Sequence, residues 1–168
     1  MKNKESSGNL STNSKIYPIG YSSFFLISSE QPLKLEFPED AEYILGEYLS
    51  ELYGLLQVDG YTLKIDKLIW KPAKIKVCLD YIGRITDNLL SNIRKYTDPL
   101  IPIEISTLYV NHYVGIKIEN KIAEPYRYHG SGIGTKNIKA MMQQMNGLCE
   151  IKFASDYYCI ILYFPIDL

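Results

Sequence analysis

The 168-residue chain has no apolar run near the ~18 residues that a membrane-spanning helix needs, so direct insertion of that kind is not expected. Excess charge of either sign is also missing. The formal net charge is -1, which excludes the broad basic field of a nucleic-acid binder or an electrostatic membrane anchor. Cysteine is scarce, at three residues. Cys78, Cys149 and Cys159 have no metal-binding or redox spacing, and each sits inside an apolar stretch, so they read as buried thiols in a reducing cytoplasm. Histidine is scarcer still, with only His112 and His129. The first residues, MKNKESSGNLSTNSK, lack the apolar centre of a secretory leader and read as a disordered tail. What is abundant is hydrophobic matter, 46% of the chain and enough for a core, together with fifteen tyrosines that mostly fall at packing positions.

Pro18, Pro32 and Pro38 bar a long helix from residues 16–38, so residues 1–39 are expected to be a tail and 40–168 the domain. A helix starts near Glu39 or Asp40. Tyr43, Ile44, Tyr48, Leu52, Leu55 and Leu56 recur along it at helical spacing, and Asp59-Gly60 ends it. Tyr61, Leu63 and Ile65 predict a strand, and Ile75, Val77 and Leu79 a second one after the Lys71-Pro72 turn. Asp80 is placed as the N-cap of an amphipathic helix with Ile82, Ile85, Leu89, Ile93 and Tyr96 on its apolar face, stopped by Asp98-Pro99. Two hairpins follow, one turning at Asn111-His112 and the other at Ala154-Ser155-Asp156. Between them an irregular loop over 120–132 leads into a helix with Ile138, Met141, Met142 and Met145 inward, ending at Asn146-Gly147. The order αββαββαββ predicts an α+β, two-layer sandwich: one mixed, mostly antiparallel sheet with about three helices on one face.

Two segments carry chemistry. In DYIGRITDNLLSNIRKYT, residues 80–97, Arg84, Asn88, Asn92 and Lys95 share one helix face beside the apolar stripe. Two asparagines one turn apart present neutral carbonyl oxygens, hard ligands suited to magnesium, and Lys95 adds a charge within reach of phosphate. Taken alone, such a stripe is an ordinary solvated face. In HGSGIGTKN, Gly130, Gly132 and Gly134 alternate before Thr135 opens a helix whose free N–H groups favour an anion. This is neither a dinucleotide-binding fingerprint nor a P-loop, and alone it is an ordinary flexible connection. Between the two, Glu119-Asn120 closes a strand. Asn120 offers an oxygen to an exocyclic amine, or simply bonds its own turn.

In combination these segments resemble a known family, the ATP-binding catalytic domain of sensor histidine kinases, which has the Bergerat fold. TDNLLSNIRKYTDP is similar to that family's asparagine box, and GSGIGTKNIKAMMQQMNG to its second glycine box and following helix. The likeness covers roughly residues 40–166 and is closest to the lantibiotic-sensing kinases, where the strand end reads Glu-Asn. It implies ATP and Mg2+ as ligands, with Asn92 as the magnesium ligand and Asn88 near the γ-phosphate. It further implies Lys95 on phosphate, Tyr96 flanking the nucleotide and Asn120 on adenine. Gly130, Gly132, Ile133, Gly134 and Thr135 would shape the lid hinge and supply phosphate-binding amides. The implied partners are a histidine-bearing dimerisation domain and, through it, a response regulator.

The chain departs from that pattern in three places. Asn120 stands where the family has aspartate, and Lys121, Ile122 and Ala123 replace the glycines of the first glycine box. The Gly-Thr-like box before the last strand is missing. Neither histidine has the acceptor context, and residues 1–39 are too short and proline-broken for the acceptor hairpin, so the chain is expected to be part of a longer kinase or to act on a partner. Three readings follow: a histidine-kinase catalytic module, a non-catalytic binding module, and another Bergerat-fold kinase such as an anti-sigma serine kinase. The last is disfavoured because the amide of Asn88 cannot activate water as a glutamate would.

Overall fold

The computed structural model describes residues 33–124 and 132–167. The expectations for residues 1–32, for Gly130 and for His129 lie outside that range. Strand β1 (Glu39–Asp40) leads directly into helix α1 (Ala41–Val58). Asp40 caps α1: its carboxylate accepts from the N–H groups of Glu42 at 2.9 Å and Tyr43 at 3.4 Å. Ala41, Ile44, Leu45, Leu52 and Leu56 form the buried face, and Gly60, at φ 87°, turns the chain out of the helix.

The next two strands depart from the expected pattern. Strand β2 (Leu63–Lys67) does not pair with β3 (Lys74–Ile75); it runs parallel to β4 (Ile103–Val110), while β3 pairs with β1 in a separate two-stranded ribbon. The chain between β2 and β3 is held over β4 by side chains rather than by a ladder. Ile69 N–H donates to Thr107 Oγ1 at 2.9 Å and Lys71 N–H donates to the Tyr109 hydroxyl at 2.7 Å. Pro72 then removes the donor a continuing strand would need. The second strand also stops at Ile75 instead of running to Leu79, which already belongs to helix α2 (Leu79–Tyr96). Its N-cap is Cys78, without a side-chain cap, so Asp80 lies in the first turn, where its charge meets the positive end of the helix.

Strands β5 (Tyr113–Lys121), β6 (Leu148–Ala154) and β7 (Tyr157–Pro165) complete a five-stranded sheet of order β2-β4-β5-β7-β6, antiparallel except at β2–β4. Helix α3 (Ile133–Gln144) connects β5 to β6. One sheet face is apolar and covered by the helices. Cross-strand pairs Val114–Phe164, Ile116–Leu162 and Ile118–Ile160 are all buried there, against Ile82, Ile85, Leu89 and Ile93 of α2 and Ile138, Met141 and Met142 of α3. The opposite face is roofed differently. Ile161 and Cys159 point away from the helices yet are buried, because Lys117, Glu119, Glu150 and Lys152 stand opposite them on the two neighbouring strands. Their ion pairs, Lys117–Glu119 at 3.0 Å and Lys152–Glu150 at 3.1 Å, hold the alkyl stems over the apolar row. The fold class is therefore the expected α+β sandwich, with three helices and a mostly antiparallel sheet among the described residues. Among the described residues, no helix is long and apolar enough to cross a membrane.

Candidate functional site

The site is built where the N-terminus of α3 meets the polar stripe of α2. On α2, Asn88 Nδ2 donates to its own helix, to the Arg84 carbonyl at 2.7 Å. That bond occupies the amide donor and turns Oδ1 outward. The oxygen faces the first turn of α3: a Cβ placed on Gly134 would lie 3.1 Å from Asn88 Oδ1, 3.4 Å from Asn92 Oδ1 and 3.6 Å from Asn92 Nδ2. Any larger residue would press on these amide ends and make them shift. Gly132, at φ 68°, is the left-handed N-cap that turns the chain into α3, and no side chain caps the first turn. The structure thus brings Asn88 and Asn92 to the first turn of α3, which holds Gly132, Ile133, Gly134 and Thr135, although 40 to 47 residues separate the two groups in sequence. Gly130 is the one predicted site residue outside the description.

The far end of α2 is clamped to the strand that carries Asn120. Thr97 bridges Ile122, Asp98 N–H donates to the Lys121 carbonyl at 2.9 Å, and Ala123 N–H donates to the Tyr96 carbonyl at 2.8 Å. A second clamp fixes α2 to the end of α1. Arg94 Nε donates to Asp59 Oδ2 at 2.6 Å, a bond that holds the guanidinium still more firmly protonated, and the Tyr61 hydroxyl donates to the Ile93 carbonyl at 3.3 Å. Asn120 is 4% exposed, and its Nδ2 donates to the next carbonyl, Lys121, at 3.4 Å. Lys95 and Tyr96 lie together here, the Lys95 ammonium 5.0 Å from the centre of the Tyr96 ring. In this arrangement Lys95 rests on the aromatic face beside the asparagines.

Two residues that the sequence reading did not single out also belong to this end. Thr97 is buried and its Oγ1 has no hydrogen-bond partner; the Tyr158 hydroxyl is buried and unpartnered as well. Burial pushes the Tyr158 hydroxyl above its ordinary titration range, with Thr135 of α3 pulling the other way from nearby, although no bond of acceptable geometry joins them. The signal for Tyr158 lay in the hairpin register, which sets it directly opposite Asn120. Nothing in the sequence marked Thr97.

The chemistry of the donor set suits a magnesium-bound polyphosphate. Asn88 and Asn92 supply hard, neutral oxygens, and the uncapped start of α3 supplies N–H groups for an anion. Among the described residues there is no cluster of three carboxylate, histidine or cysteine side chains that could hold a metal ion.

This fold is matched in solved structures. The fold is that of a histidine-kinase catalytic domain. The chain is similar to Acinetobacter baumannii histidine kinase AdeS, with a TM-score of 0.60, 15% identity, and coverage of 82% of this chain and 70% of that one. It is similar to a mycobacterial sensor histidine kinase, MprB, with a TM-score of 0.58, 15% identity, and coverage of 77% and 97%. The catalytic domain of histidine kinase ThkA matches with a TM-score of 0.60 and 11% identity, over 79% of this chain and 96% of that one. In sequence, the chain is 28% identical over 141 residues to sensor histidine kinase YrkQ of Bacillus subtilis (strain 168), which takes in 82% of this chain. The chain spans about a third of the length of that relative, 32%. No protein-family model matches it. The histidine-kinase catalytic fold agrees with the family resemblance read from the asparagine-box and glycine-box segments.

Proposed function

We propose that this chain is the nucleotide-binding catalytic module of a sensor histidine kinase, which binds Mg·ATP and passes the γ-phosphoryl group to a histidine on a separate dimerisation domain. A response regulator is then the acceptor beyond that histidine. The observation that carries the reading is the convergence at Gly134, where both amide oxygens of the α2 stripe meet the uncapped first turn of α3.

The roles follow from chemistry. Asn92, and Asn88 beside it, would hold magnesium, which neutralises charge on the phosphates and favours departure of ADP. Gly134 keeps side-chain bulk away from the asparagine oxygens, and the N–H groups from Ile133 to Thr135 would orient a phosphate at the mouth of the seam. Lys95 exchanges the Tyr96 face for a phosphate oxygen. Tyr96 and Asn120 flank the base. In the transfer, an imidazole nitrogen of the partner domain forms the new bond to the γ-phosphorus as the bond to the bridging oxygen breaks. Asn88 has no lone base to offer, since its amide donor is engaged with Arg84 and its oxygen is not basic. Transfer to an incoming nucleophile fits this site better than hydrolysis.

Calorimetric titration with ATP and ADP, with and without magnesium, tests the binding step, and absence of any heat in magnesium would end the proposal. Adding a matched dimerisation domain and measuring phosphohistidine tests the transfer. A non-catalytic binding module is the second reading, favoured by one feature: Asn120 puts a neutral amide where the resembling family carries a carboxylate. Asn92→Ala separates the two, because loss of transfer with a retained effect on the partner favours the binding module.

A further inference from the structure

The helix-covered face of the sheet ends in three polar side chains with too few partners. Thr97 is 4% exposed with an unpartnered Oγ1, and the Tyr158 hydroxyl is buried and unpartnered. Asn120 is 4% exposed, and its side-chain hydrogen bond among the described residues is the long one to Lys121, at 3.4 Å. The topology gathers them. Asn120 and Tyr158 are direct cross-strand partners, and Thr97 bridges Ile122, two residues along β5 from Asn120. The group lies just beyond Tyr96, at the end of α2 that follows Asn92. Buried donors and acceptors are nearly always paired in folded proteins, because an orphan costs folding free energy. Two orphan hydroxyls at the same end of the sheet as a loosely held amide therefore point to a partner that arrives from outside.

We infer that Thr97, Asn120 and Tyr158 read the base of the bound nucleotide, and that they accept a 6-keto purine as readily as a 6-amino purine. The inference rests on the nucleotide reading above. Its physical basis is that none of the three side chains carries a charge and each can donate or accept. A carboxylate at this place would only accept, so it would welcome an exocyclic amine and repel a keto oxygen. The Asn120 amide can turn over and donate instead, giving up only its 3.4 Å contact. The hydroxyls reverse by rotating one bond.

The test compares Mg·ATP with Mg·ITP, the inosine triphosphate whose base carries a keto oxygen at C6 and a hydrogen on N1 in place of the 6-amino group and bare N1 of adenine, by calorimetry on the full chain. The expected dissociation constants agree within about fivefold, and Asn120→Asp shifts the preference toward ATP by about tenfold or more. Thr97→Val and Tyr158→Phe, which keep shape and remove the hydroxyl, are expected to raise the unfolding midpoint of the free protein and weaken both nucleotides by about fivefold each. A wild-type preference for ATP beyond about 100-fold overturns the selectivity while leaving nucleotide binding intact. Variants that bind as tightly as the wild type overturn the base-reading role and assign the hydroxyls to ordered water. If neither nucleotide binds the wild type, the parent reading fails with it, an outcome distinct from the other two.

Discussion

Gly134 decides how close the two halves of the site come. Its backbone is compatible with an ordinary helix, so alanine there gains intrinsic helix stability of about 1 kcal/mol. The added methyl, however, would sit 3.1 Å from Asn88 Oδ1 and 3.4 Å from Asn92 Oδ1. Gly134→Ala is therefore expected to leave the unfolding midpoint within about 1 kcal/mol of the wild type and yet weaken Mg·ATP about tenfold, measured by paired urea melts and calorimetry. Equal affinity would mean that the asparagine oxygens are not where the nucleotide goes. At this scale the sequence was informative about which residues and uninformative about how they are held. Spacing placed Asn88 and Asn92 on one face of α2 and Gly132 and Gly134 at the start of α3, while their expected roles came from the family resemblance. The back-bond from Asn88 to Arg84 was not, because a side-chain amide can serve its own helix or a ligand, and spacing does not distinguish the two. The orphan hydroxyl of Thr97 was equally hidden, since it depends on a bridge to Ile122 between chain segments 25 positions apart.

Helices and strands were legible where one face is apolar and one polar, as in α1, α2, α3 and the two hairpins. They were misread where a short segment carries apolar residues for other reasons. Val77 and Leu79 alternate like a strand, but Val77 is a buried connection and Leu79 opens α2. The expected mixed sheet did not say which strands run parallel; β2 lies beside β4 because Thr107 and Tyr109 of β4 hold the 69–71 segment over it. The junction between α3 and β6 shows the opposite case, a glycine whose need was visible. A Cβ on Gly147 would lie 2.6 Å from the Tyr163 carbonyl and 2.8 Å from Met142 Cε. Backbone cannot yield as a side-chain end can, so Gly147→Ala is expected to destabilise the domain by about 1–3 kcal/mol in urea unfolding. A change of less than ~0.5 kcal/mol would mean that α3 shifts freely on the sheet.

Across the whole molecule, alkaline titration reports on the packing beneath the sheet and helices. Burial pushes the Cys149 thiol from 9.0 to about 11 and raises the hydroxyls of Tyr61 and Tyr158, while Glu119 raises the Lys117 ammonium. Every one of these folded-state values lies above its unfolded value. The folded protein therefore holds more protons than the unfolded chain at high pH, and stability present below pH 9 is lost as pH rises toward 11. Urea midpoints are expected to be flat from neutral pH to about 9 and then to fall, and Cys149→Ala is expected to lessen the first part of that fall. A midpoint that rises with pH in this window would contradict the burial of these groups.

On the proposed reading, the α2 asparagines and the start of α3 form one magnesium-dependent nucleotide site. Calorimetric titration of the wild type and of Asn92→Ala with ATP, each with and without magnesium, tests it most directly. Wild-type binding is expected to strengthen about tenfold or more with magnesium, and the Asn92→Ala variant to fold normally but lose that magnesium dependence. Nucleotide binding that is indifferent to both magnesium and Asn92, or no binding at all, would contradict it.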